Sequence, residues 1–140
     1  PARWTMQPLP ALGKWPKAIR RWELSLPLQG GRAKIDVEAD KTEDYARKGA
    51  LLDTRAVAAA TAENFGFKAY QNIELTVKQA PGFYEAWDAQ IPGNAPFRVV
   101  AAHFLRGGVH YRLGAVAPLG DDAPIAEHAL REILGSWHWK

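Results

Sequence analysis

One stretch restricts the fold more than any other: FRVVAAHFLRGGVHYRLGAVA, residues 97–117. Its Gly107-Gly108 pair is a two-residue hairpin turn between two apolar runs. Successive strand side chains point to opposite faces, so Val99, Ala101 and Leu105 share one face and Val100, Ala102 and Phe104 the other. A hairpin apolar on both faces belongs in a sheet covered on both faces. The turn also fixes a register, with Leu105 opposite His110 and His103 opposite Arg112. His103 and His110 are then diagonal neighbours on one face.

A second hairpin is written in RWELSLPLQGGRAKIDVEAD, residues 21–40. A turn at Gly30-Gly31 would pair Leu28 with Ala33, Leu26 with Ile35, Leu24 with Val37 and Trp22 with Ala39, all on one face. The other face would pair Ser25 with Asp36 and Arg21 with Asp40. Pro27 cannot donate to a ladder, which puts this strand toward a sheet edge. From Thr42 to Gly66, acids after a threonine, an alanine-rich run and a closing glycine spell a helix, with Gly49 as its kink. NIELTVK (72–78) and GFYEAWDAQ (82–90) are strands, and IPGNAP (91–96) is a loop. Asp121, Asp122 and Pro124 open a last helix whose stripe runs through Ile125, Ala126, Ala129, Leu130, Ile133 and Leu134 to Gly135. The order is β-β-α-β-β-β-β-α: an α/β domain of the α+β kind, with a mainly antiparallel sheet of about six strands flanked by helices.

At 140 residues the chain fits one domain. It has no cysteine, which excludes disulfides, thiolate metal sites and thiol nucleophiles. Neither Gly-Gly turn opens a helix, so neither is a phosphate loop. Ser25 and Ser136 are the only serines, and neither occupies a strand-to-helix elbow. No catalytic set stands out, and the expected protein is not an enzyme. No apolar run is long enough to span a membrane. The chain starts at Pro1. That fits a mature form that has lost a targeting segment, hence a periplasmic or organelle-lumenal location.

Charge is uneven. Net charge is +3, yet residues 1–22 hold Arg3, Lys14, Lys17, Arg20 and Arg21 and no acid, so the remaining 118 residues sum to −2. Residues 1–17 also carry Pro1, Pro8, Pro10, Pro16, Trp4 and Trp15. They are expected to form an extended basic arm in front of a domain covering 18–140. Tryptophan beside arginine and lysine suits a protein or anionic membrane interface. Trp4, Lys14, Trp15, Lys17, Arg20 and Arg21 are therefore the candidate partner contacts. A wrap of the arm on its own domain is the plainer alternative. Positive charge confined to one arm disfavours nucleic acid.

His103 and His110 could share a metal only with a third ligand, such as Glu85 or Asp88, and two buried strand histidines are the simpler explanation. No metal or cofactor is expected. Glu43, Asp44, Asp121 and Asp122 sit where helix N-termini favour negative charge, which points to capping rather than catalysis. Trp87, His103, His110 and Arg112 are the candidate lining of a ligand pocket between sheet and helix.

The closing AEHALREILGSWHW, with AYQN and FYEAWDAQ upstream and the Gly-turn hairpin of residues 97–117, resembles the Mog1/PsbP-like fold across residues 20–139. That resemblance implies a non-enzymatic accessory protein on a larger assembly, with no shared catalytic residues to carry over. The arm docking on a protein complex at a membrane surface is then the first expectation. A small-ligand or metal-binding domain, or an enzyme, using the pocket near His103, His110 and Trp87 is the alternative. A third is a cone-shaped fold around a ligand cavity, as in NTF2-like proteins, against which the two-sided hairpin argues.

Overall fold

The computed structural model describes residues 5–9, 18–28, 31–41 and 43–139. Its strands are β1 (Thr5–Leu9), β2 (Ala18–Leu28), β3 (Gly31–Lys41), β4 (Lys68–Val77), β5 (Ala80–Ala89), β6 (Phe97–Arg106) and β7 (Val109–Pro118). Its helices are α1 (Ala50–Asn64) and α2 (Asp122–Ser136), and a 3-10 turn covers Glu43–Ala46. The strands make one antiparallel sheet in the order β1-β2-β3-β7-β6-β5-β4, with the expected α+β class.

The strand count is seven rather than six. The extra strand is β1, which lies inside the basic arm and pairs with β2 from Thr5↔Ser25 to Leu9↔Arg21. The edge is therefore β1, not β2. Pro27 lies past the described β1 ladder and pairs with Arg32 of β3.

The β6–β7 hairpin has the expected register, with His103↔Arg112 and Leu105↔His110. The β2–β3 hairpin is shifted by two: Leu28↔Gly31, Leu26↔Ala33, Leu24↔Ile35 and Trp22↔Val37. Ser25 thus faces Lys34, and Arg21 faces Glu38. The side-chain period is two, so a shift of two keeps the parity of the pairing, and the described Trp22, Ile35 and Val37 stay together on the core face. The long helix read from Thr42 is split. Gly49 takes φ +85°, a left-handed conformation, and the chain turns there before α1 begins at Ala50.

Parity along the strands separates two layers. Ile35, Val37, Val100, Ala102, Phe104, Leu113 and Ala115 pack with Ala126, Ala129 and Leu130 of α2 to form the main core. Arg98 helps seat that helix: it meets Asp88 through two bonds of 2.7 and 3.1 Å and Glu127 of α2 at 3.1 Å. Trp22, Trp137 and Trp139 pack against the same core. Trp139 also donates its indole N–H to the Lys78 carbonyl at 3.0 Å.

The opposite face is covered by α1, and differently. Only Ala50 and Ala62 of α1 are buried. Leu52 and Val57 are 68% and 65% exposed. A helix rich in alanine with no apolar stripe cannot interdigitate with a sheet over its length. Space is left beneath it, and there the polar residues of β3, β5, β6 and β7 lie.

Candidate functional site

Between α1 and the sheet is a cleft of about 680 Å³. All four pocket candidates line it: Trp87 from β5, His103 from β6, and His110 and Arg112 from β7. Glu38 and Asp40 of β3 and Tyr45 of the 3-10 turn complete one end. Val57, Ala62, Phe65, Phe67 and Val99 line the other.

A hydrogen-bonded line crosses its floor. The Trp87 indole N–H donates to Glu85 Oε2 at 3.0 Å. Glu85 Oε1 is 3.0 Å from His103 Nε2, and His103 Nδ1 is 2.9 Å from His110 Nε2. Glu85 and His103 are both buried. A carboxylate only accepts, so His103 carries its proton on Nε2 and its Nδ1 accepts. His110 must then donate from Nε2, which leaves its own Nδ1 as an acceptor. The two imidazoles stack nearly parallel, at 11° and 5.1 Å, and Phe83 stacks on His103 from the other side at 4.4 Å.

Burial governs the protonation of this line. It lowers the His103 pKa, against the opposing pull of Glu85, and Arg112 lowers it further. Burial, with His103 and Arg112 beside it, brings His110 down to about 3. Burial alone would raise Glu85, but its hydrogen bonds from His103 and Trp87 and the nearby Arg112 outweigh that and hold it below the ordinary value. At neutral pH the line is one carboxylate and two neutral rings.

These donors do not converge on a point. Glu85 binds the ring edge of His103 opposite the one that meets His110. Asp88, the other suggested third ligand, is held by Arg98 on the α2 side of the sheet. Among the described residues no group of three or more His, Asp or Glu can hold a metal ion.

Arg112 lies over Gly114: a Cβ on that glycine would come 2.5 Å from an Arg112 guanidinium nitrogen. Its cross-strand neighbours are Glu38 and His103. Tyr45 donates its hydroxyl to Asp40 Oδ2 at 3.1 Å and sets its ring 5.2 Å from His110. Burial, then Asp40 and Asp44, push the Tyr45 pKa up to about 12. Asp40 and Tyr45 are the site residues that sequence reasoning missed. Alternation in KIDVEAD does place Asp36, Glu38 and Asp40 together on one face. Tyr45 comes from the 3-10 turn that follows β3, a stretch that the sequence reads instead as the start of a long helix.

Of the candidate partner contacts, Trp4, Lys14, Trp15 and Lys17 lie outside the described residues. Arg20 and Arg21 are in β2, opposite Ala39 and Glu38 of β3. Among the described residues no helix is long and apolar enough to cross a membrane.

No family model matches the chain, and no curated protein does. Among solved structures it is similar to PA94, a protein of unknown function from Pseudomonas aeruginosa provisionally termed a regulator. The TM-score is 0.66 at 15% identity, over 100% of this chain and 85% of that one. At that identity the likeness establishes the fold alone.

Proposed function

We propose that this protein is a non-enzymatic binding module whose site is the cleft between α1 and the sheet, and that its ligand is a small organic molecule. The observation that carries this reading is convergence. Four residues from three strands meet around one cavity of about 680 Å³, inside the range of roughly 300–1,000 Å³ usual for ligand sites. The cavity joins an apolar end to a few oriented polar groups, the pattern by which a pocket holds and orients a ligand. Glu85 and Tyr45, beside the histidine pair, are each already engaged in a hydrogen bond, which supports binding over catalysis. The Mog1/PsbP-like resemblance supports an accessory role in the same way.

The test is a fragment screen followed by mapping of backbone amide shifts by NMR. Binders should perturb α1 and the cleft residues of β5, β6 and β7. Ala58→Trp, which puts an indole into the cleft from α1, should abolish those shifts while the amides of α2 keep their native positions. Binders that perturb only residues outside the cleft, or that bind Ala58→Trp unchanged, would overturn the reading.

The docking reading keeps one observation in its favour, the five cationic side chains ahead of the first acid, Glu23. Its test has to spare β1. Replacing Trp4, Lys14, Trp15 and Lys17 together, rather than deleting residues 1–17, leaves the edge strand in place. Unchanged capture of a membrane-associated complex by that variant would exclude the arm as the contact.

A further inference from the structure

The polar end of the cleft presents acceptors and acids, and this sets the class of ligand. The inference rests on the cleft being a binding site. Asp40 receives one hydrogen bond, from Tyr45 to Oδ2. Its Oδ1 is shut off from solvent and has no hydrogen-bond partner among the described residues. A carboxylate oxygen removed from water without a donor is unfavourable, more so than a neutral oxygen. Beside it stands His110, whose Nε2–H is committed to His103 and whose Nδ1 therefore accepts. The Tyr45 ring, 5.2 Å from that of His110, supplies a π face.

Charge points the same way. Five carboxylates line the cleft (Glu38, Asp40, Asp44, Asp53 and Glu85) against two guanidiniums (Arg47 and Arg112). Arg47 is already paired with Asp53 at the rim. The N-terminus of α1 adds roughly half a positive charge, and with the Arg47–Asp53 pair set aside the four remaining carboxylates still outweigh Arg112 and that helix end. That Asp40 and Asp44 both raise the pKa of Tyr45 registers the negative potential at this end.

The cleft is also polarised along its length. Asp40 pairs with His110, whereas Trp87 pairs with Val99, and Val99 with Val116. His110 and Val116 are six residues apart on one strand, roughly 20 Å at about 3.3 Å per residue. The far end holds Trp87, Val99, Phe65 and Phe67, with Phe67 edge-on to Phe97 at 6.1 Å.

We infer that the cleft takes an organic cation, an ammonium group carried on an apolar body. The ammonium donates to His110 Nδ1 beside the Tyr45 ring and is held by the negative charge of Asp40, and the body runs beneath α1 toward Trp87 and Val99.

Three probes that share one body test this: 4-phenylbutylammonium, 4-phenylbutyrate and 4-phenylbutanol, each titrated into the full chain and followed by NMR. The ammonium should bind on the order of tenfold more tightly than either other probe, as expected for a charge-assisted hydrogen bond. Its shifts should centre on Asp40, Tyr45 and His110. Asp40→Asn should remove that preference, and Tyr45→Phe, which frees Oδ2 as well, should keep it. The second variant guards against an Asp40 substitution that disturbs the β3 end. If the butyrate or the alcohol binds at the cleft as well as the ammonium, the ligand class is wrong and the cleft remains a site. If none of the three perturbs the cleft, the class and the binding reading fall together.

Discussion

His103 and His110 stand 2.9 Å apart, ring nitrogen to ring nitrogen, under a covering that keeps both neutral. Protonating either replaces an accepting nitrogen or adds a cation beside Arg112, in a site where burial already opposes charge. The unfolded chain has no such constraint and titrates near 6.5. Between that value and about 3, the folded pKa of His110, the unfolded state binds the extra proton and the folded state does not. Stability is therefore unaffected above pH 6.5 and is lost as pH falls through this window. His103 adds to the loss in the same direction. Glu85, held below its ordinary value, adds to it once pH falls below about 4.5. Urea unfolding at pH 7 and pH 5 should show a fall of roughly 2 kcal/mol from His110 alone, with His103 adding to it, and His110→Gln should recover the His110 part. An unchanged midpoint would mean that the pair is hydrated and the cleft open to water. Much of this pair was legible in the sequence, because Gly107-Gly108 fixes the register that sets the two rings side by side. That Glu85 takes the far nitrogen of His103 was not. Alternation assigns a face, and only side-chain rotamers decide which ring edge meets which oxygen.

The same limit holds for the elements. A Gly-Gly signal located both marked hairpins, but for β2 and β3 it left two registers of equal parity, and burial cannot choose between them. The β4–β5 turn falls at Lys78-Gln79, ahead of the Pro81-Gly82 pair that would ordinarily mark it. Lys78 and Gln79 take φ +47° and +74°, a conformation disfavoured for side-chain-bearing residues and normally given to Asn-Gly. What holds it is remote: the Trp139 indole, 61 residues away in sequence, donates to the Lys78 carbonyl. Replacing Lys78-Gln79 by Asn-Gly relieves the strain without touching that bond. It should stabilise the protein by about 1 kcal/mol, read from the denaturant midpoint at constant slope. Trp139→Phe should cost more in the parent chain than in the Asn-Gly variant, since only the parent needs the clamp. Equal costs in the two backgrounds would show that the indole acts through packing on Phe104 and Tyr111 instead.

At the scale of the molecule, the sheet has two open ends, β4 and β1, and they are guarded differently. The β4 edge is tied to α1, where Arg55 bonds Asn72 at 2.7 Å and pairs with Glu74. At the other end β1 covers β2 for five residues, with Pro8 exposed on the strand. Pro8 offers no N–H to a further strand, the usual device for closing an edge to new partners. The long strand β2, eleven residues, has no such device where β1 pairs with it, from Arg21 to Ser25. A variant lacking residues 1–9 should therefore keep its core, since α2 and its contacts lie across β3, β7 and β6. It should nevertheless self-associate through the uncovered β2 edge, and light scattering should show dimers or larger species growing with concentration where the full chain shows none. Restoring Thr5–Leu9 as a separate peptide in excess should reverse the association, because the peptide re-forms the missing ladder. If the truncated chain behaves like the full chain at every concentration, β1 is not a cover for the sheet. The basic arm would then be anchored for another purpose, and docking on a partner would regain the stronger claim.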